Sequence, residues 1–447
     1  MRIGDAGRIP PLHGEGGPRP GGVRGLTPTP TLPLSGGGSD APLAGKTVAI
    51  VHPAWHSCGT YSVVLGQIEA YRALGATVVT VANSDFPGFG TSGPLARRYA
   101  ADTPELDAQS RFFAGVPAWK ALSPRFLRET IVPFLHGDQA AMRAGASAAS
   151  DLSAGLADLA IDLIHCNHFF CMPVARRLAG NRPLVMDTHD LQAAQFDIIN
   201  DGRPILPPRA TREGMLAREL AEMRGARALL HLNADEERNF RDLLPDMAHH
   251  LLYPPVPDVP TGPGGPDILV VSSWNAANLE SMLWFLREVL PRAGNPSVRI
   301  AGNIDAGVKS ADRALYDRNK TLFIGRVDEL GALYAGARLA LLPTTAGTGL
   351  SIKTVEAMAS GLPLIASPLA FRGMHFDPAH LRNVTLATDA DAFAAALRDA
   401  AASSGRPDAA ERAASDTRKL YEATFSAAAY AARLAAIVDP LLAPKAT

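Results

Sequence analysis

A lysine and a glutamate one helical turn apart follow two closely spaced glycines in the last third of the chain. Gly347 and Gly349 allow a tight turn and a close approach of the backbone to a ligand. Lys353 places an ammonium near the start of a predicted helix, and Glu356, three residues later, shares its face. A cation beside the unpaired amides of a helix start binds anions, and the carboxylate can accept hydrogen bonds from ribose hydroxyls. The pattern predicts a nucleotide-diphosphate site; the alternative is a solvated lysine and a glutamate that only complements the helix dipole.

The neighbouring sequence predicts the elements that hold these residues. Leu339–Leu342 is a short apolar run, typical of a buried parallel strand. A helix is predicted to start near Leu350 and to end at Gly361, because glycine is favoured just after a helix. A second strand begins at Pro363. This strand, loop, helix and strand would present the free amides of the helix start to a ligand.

From Gly347 to Pro363 the sequence resembles the family-4 glycosyltransferases of the GT-B fold. Many members carry the pattern G-x-G-x-x-x-K-x-x-E-A-M-A-x-G-x-P at this place. Most have two glutamates eight residues apart; Glu356 matches the second, and Thr348 stands at the first. A branch of the family with a glycine-rich loop and a lysine shows the same loss. The resemblance implies that these residues bind the donor: Gly347, Thr348, Gly349, Leu350, Ser351, Lys353, Glu356, Arg326, Val327 and Asn275.

The first part of the chain predicts a strand–helix–strand unit, and hence a parallel sheet. Its elements are the strand Thr47–His52, the helix Tyr61–Leu74 and the strand Thr77–Ala82. The turn Pro53–Thr60 lies at the carboxyl end of the first strand, where open α/β sheets bind ligands.

The residues of that turn are candidates for the acceptor side of a site. In the family the turn faces the donor phosphates and the acceptor, which implies this role for His56, Gly59 and Thr60. A reactive pair of His56 and Cys58 is the alternative, but no context that would activate a thiolate is visible.

Two histidines end two further predicted strands. His168 ends the segment that starts at Asp162, and His189 comes near the end of the segment that starts at Pro183. Both would lie at the carboxyl edge of a sheet, where one cleft explains them better than two solvated side chains. The resemblance implies that His189, followed by Asp190, lies beside the reacting carbon of the donor sugar, and that His168 lines the cleft. His189, Asp190 and Lys353 are thus the predicted catalytic residues.

Composition bounds the class of protein. The chain has 447 residues, enough for two domains, and a net charge of −1 that gives no argument for nucleic acid binding. Its three cysteines have no metal-binding spacing and favour a reducing cytoplasm. No apolar run approaches the ~18 residues of a membrane span, so no transmembrane segment is predicted. Aromatic and basic residues interleave from Phe112 to Phe134, which indicates either a surface that faces an acceptor or the inner membrane face, as a peripheral contact, or ordinary helices with a solvated basic side.

Two short motifs have competing interpretations. Gly88–Gly93 matches G-x-G-x-x-G, but it follows the second strand instead of the first, so chance is favoured over NAD binding. A D-x-D at Asp389 and Asp391 would hold a metal in GT-A glycosyltransferases, whereas here it opens a predicted alanine-rich helix and favours a helix cap. No metal and no cofactor are therefore predicted.

The predicted organisation is α/β, with two facing Rossmann-like domains, parallel sheets and a C-terminal crossover helix. The segments are a disordered tail over 1–45, an acceptor-side domain over 46–253, a linker over 254–266, a nucleotide-sugar domain over 267–425, and over 426–447 a helix packed back on the first domain.

The resemblance implies a retaining, metal-independent glycosyltransferase of the hexosyltransferase type, as in polysaccharide biosynthesis. It would move a sugar from a nucleotide-diphosphate sugar to a glycan, a lipid-linked saccharide or a small metabolite, in the cleft between the domains. The alternative is a non-catalytic nucleotide-sugar-binding or partner subunit of the same fold, because Thr348 replaces an acid.

Overall fold

The computed structural model describes residues 41–443, except residues 57, 89 and 328. The predicted tail lies outside the described residues up to residue 40, and the rest of that segment is a turn in which Leu43 is buried. Contacts divide the chain into two compact units. Unit 1 runs to Leu229 and takes in the chain from Leu441, and unit 2 spans Leu230–Pro440.

The first sheet has eight strands among the described residues, in the order β4-β3-β2-β1-β5-β6-β7-β8. Adjacent strands from β3 to β6 pair in parallel, whereas the two-residue edge strand β4 is antiparallel to β3. The division between the units falls within β7. The strands are β1 Thr47–Pro53, β2 Thr77–Pro87, β3 Arg111–Val116, β4 Asp151–Leu152, β5 Leu163–Asn167, β6 Leu184–Asp187, β7 Ala228–His231 and β8 His249–Leu251.

The second sheet has six parallel strands among the described residues, in the order β11-β10-β9-β12-β13-β14. Numbered from its own first strand, this order is 3-2-1-4-5-6, that of a Rossmann fold. The strands are β9 Asp267–Val271, β10 Arg299–Ala301, β11 Phe323–Gly325, β12 Ala337–Leu342, β13 Leu364–Ala366 and β14 Val384–Leu386.

Helices connect the parallel strands in both sheets. Up to the division they are α1 Gly59–Ala73, α2 Pro94–Asp102, α3 Ala118–Ala121, α4 Pro124–Phe126, α5 Val132–Leu135, α6 Gln139–Ala149, α7 Met172–Ala179, α8 Phe196–Asn200 and α9 Arg212–Met223. After it they are α10 Ala234–Leu243, α11 Ala276–Trp284, α12 Leu290–Arg292, α13 Ile304–Ala311, α14 Arg313–Asn319, α15 Leu330–Ala335, α16 Ile352–Ala359, α17 Ala390–Ala402, α18 Ala409–Ala413, α19 Asp416–Thr424 and α20 Ala427–Leu442.

Both faces of the second sheet are covered, which is why its strands are mostly apolar. Successive side chains of a strand point to opposite faces. Leu339 and Leu341 accordingly belong to one buried cluster, with Phe393 of α17, whereas Ala340 and Leu342 belong to the other, with Met358 of α16. Burial of its apolar side on the sheet fixes α16, and with it the loop that precedes it.

One stretch of unit 1 exposes several large apolar side chains. Trp119 and Leu122 are 69% and 75% exposed, and Leu127, Val132 and Leu135 are also exposed. The chain here forms the short helices α3, α4 and α5 after β3, with a π-helical turn at Leu127–Ile131. The predicted mixed segment is thus a strand followed by short helices with an apolar outer side.

One described segment, Asp416–Leu442, is long and apolar enough for a membrane span by length and composition alone. The structure divides it into α19 and α20, and Tyr421, Tyr430 and Leu434 are buried within the protein. That no transmembrane segment is present stays a prediction.

Candidate functional site

The second sheet has its topological switch point between β9 and β12. The chain leaves β9 toward β10 on one side, and β12 lies on the other, so the two exit loops diverge and leave a crevice. A pocket lies there. The side chains that line it come from the exits of β9 and β12, from α11, from the start of α16 and from the segment after β13: Ser272, Asn278, Ser281, Pro343, Thr344, Ser351, Lys353 and Arg372.

The predicted glycine loop forms the exit from β12. Gly347 has φ +129° and Gly349 has φ +65°, both in the region that side chains rarely adopt. A Cβ atom on Gly347 would lie 2.9 Å from a guanidinium nitrogen of Arg372. The backbone conformation therefore favours glycine at 347, and a side chain there would displace the end of Arg372.

Helix α16 begins at Ile352, and its start is open to a ligand. Ser351 is the N-cap residue, but its side chain makes no capping hydrogen bond. Thr354 Oγ1 instead donates to the carbonyl of Ala370 at 2.7 Å, which anchors the first turn. Gly361, with φ +68°, follows the end of the helix as predicted.

Lys353 and Glu356 are both largely withdrawn from water. Lys353 Nζ is buried and has no hydrogen-bond partner among the described residues. Burial lowers the pKa of Lys353 to about 8, with Glu356 opposing this shift and Arg372 adding to it. Burial likewise raises the pKa of Glu356 to about 7, and Lys353 opposes that shift. A buried ammonium without an acceptor is unfavourable, and an anion in the pocket would satisfy it.

Arg372 is a second cation at this pocket, and no sequence pattern predicted it. Its Nε donates to the carbonyl of Thr348 at 3.2 Å, and Nη1 donates to that of Leu369 at 3.3 Å. Its position in the chain, before Gly373, gave no signal of this contact with the glycine loop. Only the fold brings the two segments together.

The remaining predicted donor residues lie elsewhere in unit 2 and do not line the pocket. Asn275 is the N-cap of α11, where its side chain accepts from the amide of Asn278 at 2.7 Å, and Asn278 rather than Asn275 lines the pocket. Leu350 packs on the core beneath the loop. Arg326 and Val327 follow β11, with Arg326 exposed.

In unit 1 three of the predicted residues come together at the corresponding switch point, between β1 and β5. Thr60, in the first turn of α1, has its hydroxyl 3.0 Å from His168 Nε2. The rings of His168 and His189 stack with centroids 4.0 Å apart. Both histidines have positive φ, 66° and 51°, which turns their side chains at the strand ends. The acceptor of His189 Nε2 is Asn167 Oδ1, at 2.9 Å.

A buried polar network lies below these histidines, and it was not predicted. Gln67 of α1 donates to Asn167 Oδ1 and to Asp187, and Asn167 donates back to Gln67. His165 lies 3.3 Å from Asp187 and 2.9 Å from the hydroxyl of Tyr71. All five side chains are fully buried. The network orients Asn167, and through it His189.

The stacked histidines are held neutral. Burial keeps the pKa of His168 well below its usual range, and the neighbouring His189 and Arg143 lower it further. Burial also lowers the pKa of His189, against the opposing effect of Asp187 and Asp190. A neutral imidazole can orient a hydroxyl by donating or accepting.

The other predicted residues of unit 1 are less enclosed. His56 lies 3.3 Å from Asp102, and Gly59 opens α1. Asp190 is exposed, whereas the adjacent His189 is buried.

The D-x-D motif is a helix cap. Asp389 caps α17 by accepting from the amide of Ala392, and Asp391 pairs with Arg292 at 3.3 Å. Among the described residues no group of three or more His, Cys, Asp or Glu side chains has the arrangement of a metal site. The absence of a required metal stays a prediction, as does that of a cofactor.

Comparison with known proteins places the pocket within a matched region. Residues 265–403 match the family model described as glycosyl transferases group 1. No curated protein sequence matches the chain.

Solved structures resemble nearly the whole chain. Anabaena HepE in complex with UDP is 13% identical, with a TM-score of 0.53 over 88% of this chain and 100% of its own. Sucrose-phosphate synthase from Thermosynechococcus elongatus is 17% identical, with a TM-score of 0.55 over 89% and 99%. The pneumococcal O-GlcNAc transferase GtfA in complex with UDP and GlcNAc is 10% identical, with a TM-score of 0.54 over 89% and 99%. With its two parallel-sheet units, the chain has the predicted GT-B fold.

Proposed function

We propose that the chain is a glycosyltransferase that takes a sugar from a nucleotide-diphosphate sugar. The observation that carries this proposal is the buried Lys353 Nζ, which has no hydrogen-bond partner among the described residues and lies at a glycine loop and an uncapped helix start. An anion is the ligand that such a site lacks. The match to glycosyl transferases group 1 over residues 265–403, and the UDP complexes of HepE and GtfA, support a nucleotide as that anion.

The proposed roles combine the chemistry of each group with what the resemblance to family-4 glycosyltransferases implies. Lys353 and the amides at the start of α16 bind the diphosphate and stabilise the charge that develops as it leaves. Glu356 accepts hydrogen bonds from the ribose. His189, beside Asp190, orients the transferred sugar, and transfer proceeds with retention at its reacting carbon. Gly59, Thr60, His56 and His168 belong to the acceptor side, for a glycan, a lipid-linked saccharide or a small metabolite.

Turnover of nucleotide sugars tests the proposal. The chain is incubated with UDP-, GDP-, ADP- and dTDP-sugars, with and without EDTA, and release of the nucleoside diphosphate is measured. We expect hydrolysis or transfer with at least one of them at a rate that EDTA leaves unchanged, because Lys353 supplies the positive charge. Loss of activity in EDTA would contradict metal independence.

A non-catalytic nucleotide-sugar-binding or partner subunit is the second candidate. Thr348, where most of the resembling family has a glutamate, favours it. Binding of a nucleotide sugar without release of the diphosphate, in the presence of sugar acceptors, would support this candidate over an enzyme.

A cytoplasmic enzyme of this kind would meet lipid-linked acceptors at the membrane, and we propose a peripheral contact through the apolar surface of α3 to α5. Trp119 and Leu122 protrude there, with Arg125 and Arg128 nearby, both paired with Glu129. Co-sedimentation with phosphatidylglycerol vesicles tests this, and we expect a double W119S and L122S variant to lose it. If the native chain stayed in the supernatant, the proposed membrane contact would be wrong.

A further inference from the structure

A nucleoside diphosphate carries more negative charge than one ammonium neutralises. The exit loop of β9, which forms one side of the pocket, offers only neutral side chains from Ser272 to Asn278. The other side carries Lys353 and Arg372. Among the described residues that line the pocket, Arg372 is therefore the second positively charged side chain, beside Lys353.

The position of Arg372 allows this role. Two of its guanidinium nitrogens bond the carbonyls of Thr348 and Leu369, which fixes the plane of the group against the glycine loop. The third, Nη2, is the atom that a Cβ on Gly347 would meet at 2.9 Å. No described residue accepts from Nη2, and the side chain is half-buried. A preorganised guanidinium with a remaining donor suits a phosphate oxygen.

We propose that Arg372 is the second phosphate-binding cation of this pocket, so that Lys353 and Arg372 together select a nucleoside diphosphate over a monophosphate. This inference rests on the proposed function, because it assigns a further contact to the same nucleotide. This role also gives a reason for glycine at 347. Because Gly347 has no side chain, the guanidinium of Arg372 can approach the loop that holds the phosphates.

Arg372 has a simpler alternative role as a strap that only holds the loop through its two carbonyl bonds. The two roles differ in what they predict for ligands of different charge. A strap acts on the loop that holds the phosphates, so its loss weakens the monophosphate and the diphosphate alike. A phosphate contact affects the diphosphate most.

Calorimetric titration with UDP and UMP, and with the GDP, ADP and dTDP pairs, separates the two roles. We expect R372Q to weaken binding of the diphosphate about 10- to 100-fold, as for a lost charge-assisted hydrogen bond, and binding of the monophosphate by less than about 3-fold. R398Q, which removes an exposed arginine of α17, is the matched control and should bind as the native chain does.

R372K provides a second variant that retains the charge but not the planar fork. A phosphate contact predicts diphosphate affinity within about 5-fold of native, since a lysine also binds phosphate. A strap predicts a loss as large as that of R372Q.

Equal losses for mono- and diphosphate, or unchanged affinity in R372Q, would overturn the assignment of Arg372 and leave the proposed function standing. If none of these nucleotides binds the native chain, the proposed function itself fails, and this inference with it.

Discussion

At the scale of single residues, the burial of Lys353 destabilises the folded chain, whereas its charge is available to bind a ligand. Its ammonium is buried and has no hydrogen bond to the part of the chain that the structure describes, and its pKa falls from 10.5 to about 8. Between these two values the unfolded chain binds more protons than the folded chain, so stability should rise with pH in that window. Groups that destabilise a fold in this way are typical of functional sites.

The first prediction concerns the stability that the folded chain loses by burying the Lys353 ammonium. Lys353→Met keeps the length of the side chain and removes the charge, so we expect the melting temperature at pH 7 to rise by roughly 2–4 °C for about 1 kcal/mol of relieved burial. The melting temperature of the native chain should approach that of the variant as pH rises from about 8 to 10.5. Thermal scans by circular dichroism measure both. A lower melting temperature in the variant would mean that Lys353 is a structural residue.

The second prediction is a pH optimum of nucleotide binding. A diphosphate requires Lys353 protonated, so affinity should fall as pH rises through about 8. The ribose requires Glu356 as a carboxylate, so affinity should also fall as pH drops through about 7. Titrations from pH 6 to 9.5 should therefore give a narrow maximum between these values. An affinity that does not change over this pH range would show that binding depends on the charge of neither Lys353 nor Glu356.

The third prediction concerns His189. Its replacement by alanine should lower turnover ~100-fold, the scale of a lost general acid–base or orienting group, while nucleoside diphosphate affinity stays native. The control is His380→Ala, which removes an exposed histidine of unit 2. Steady-state kinetics and calorimetry on the same preparations separate the two effects. Native turnover would exclude His189 from the reaction.

At the scale of elements, the loop between β12 and α16 carries the site because two of its backbone positions are left-handed. Gly347 has a φ of +129°, which favours glycine, and a Cβ there would displace the guanidinium of Arg372, whose nearest nitrogen lies 2.9 Å away. The sequence predicted this loop well because glycine spacing, an apolar strand and a helix stop are all local signals.

The fourth prediction is that Gly347→Ala weakens nucleoside diphosphate binding at least ~10-fold, because it strains the loop by about 1–3 kcal/mol and displaces Arg372. Gly331→Ala in α15 is the control, since its new Cβ would meet only Pro260 at 3.6 Å. Native affinity in Gly347→Ala would show that the conformation of the loop is not needed for binding.

Other elements were harder to predict from the sequence. Strand β2 was expected to end at Ala82, but it continues to Pro87 through Asn83 and Ser84, which are polar and yet fully buried. Hydrophobic patterning ends where polar residues begin, so it misses a strand whose polar residues are enclosed by the fold. The left-handed backbone at His168 and His189 has no signal in the residue type either.

At the scale of the whole molecule, alternation of strands and helices predicted two parallel sheets and placed the candidate residues at strand exits. It could do so because parallel strands share one carboxyl edge, so that position in the chain implies position in the sheet. Contacts between distant segments were not predictable in this way. The bond from Arg372 to Thr348 and the network of Gln67, Asn167 and Asp187 join residues that only the completed fold brings together.

The central claim is that the loop before α16 binds a nucleoside diphosphate through Lys353. Calorimetric titration of the native chain, of Lys353→Met and of the surface control Lys419→Ala with UDP, GDP, ADP and dTDP, between pH 7 and 8, tests it most directly. We predict that at least one diphosphate binds the native chain and the control equally, and that Lys353→Met weakens it by roughly 1.5–3 kcal/mol. Equal affinity for the native chain and Lys353→Met, or no binding of any of the four to the native chain, would contradict the claim.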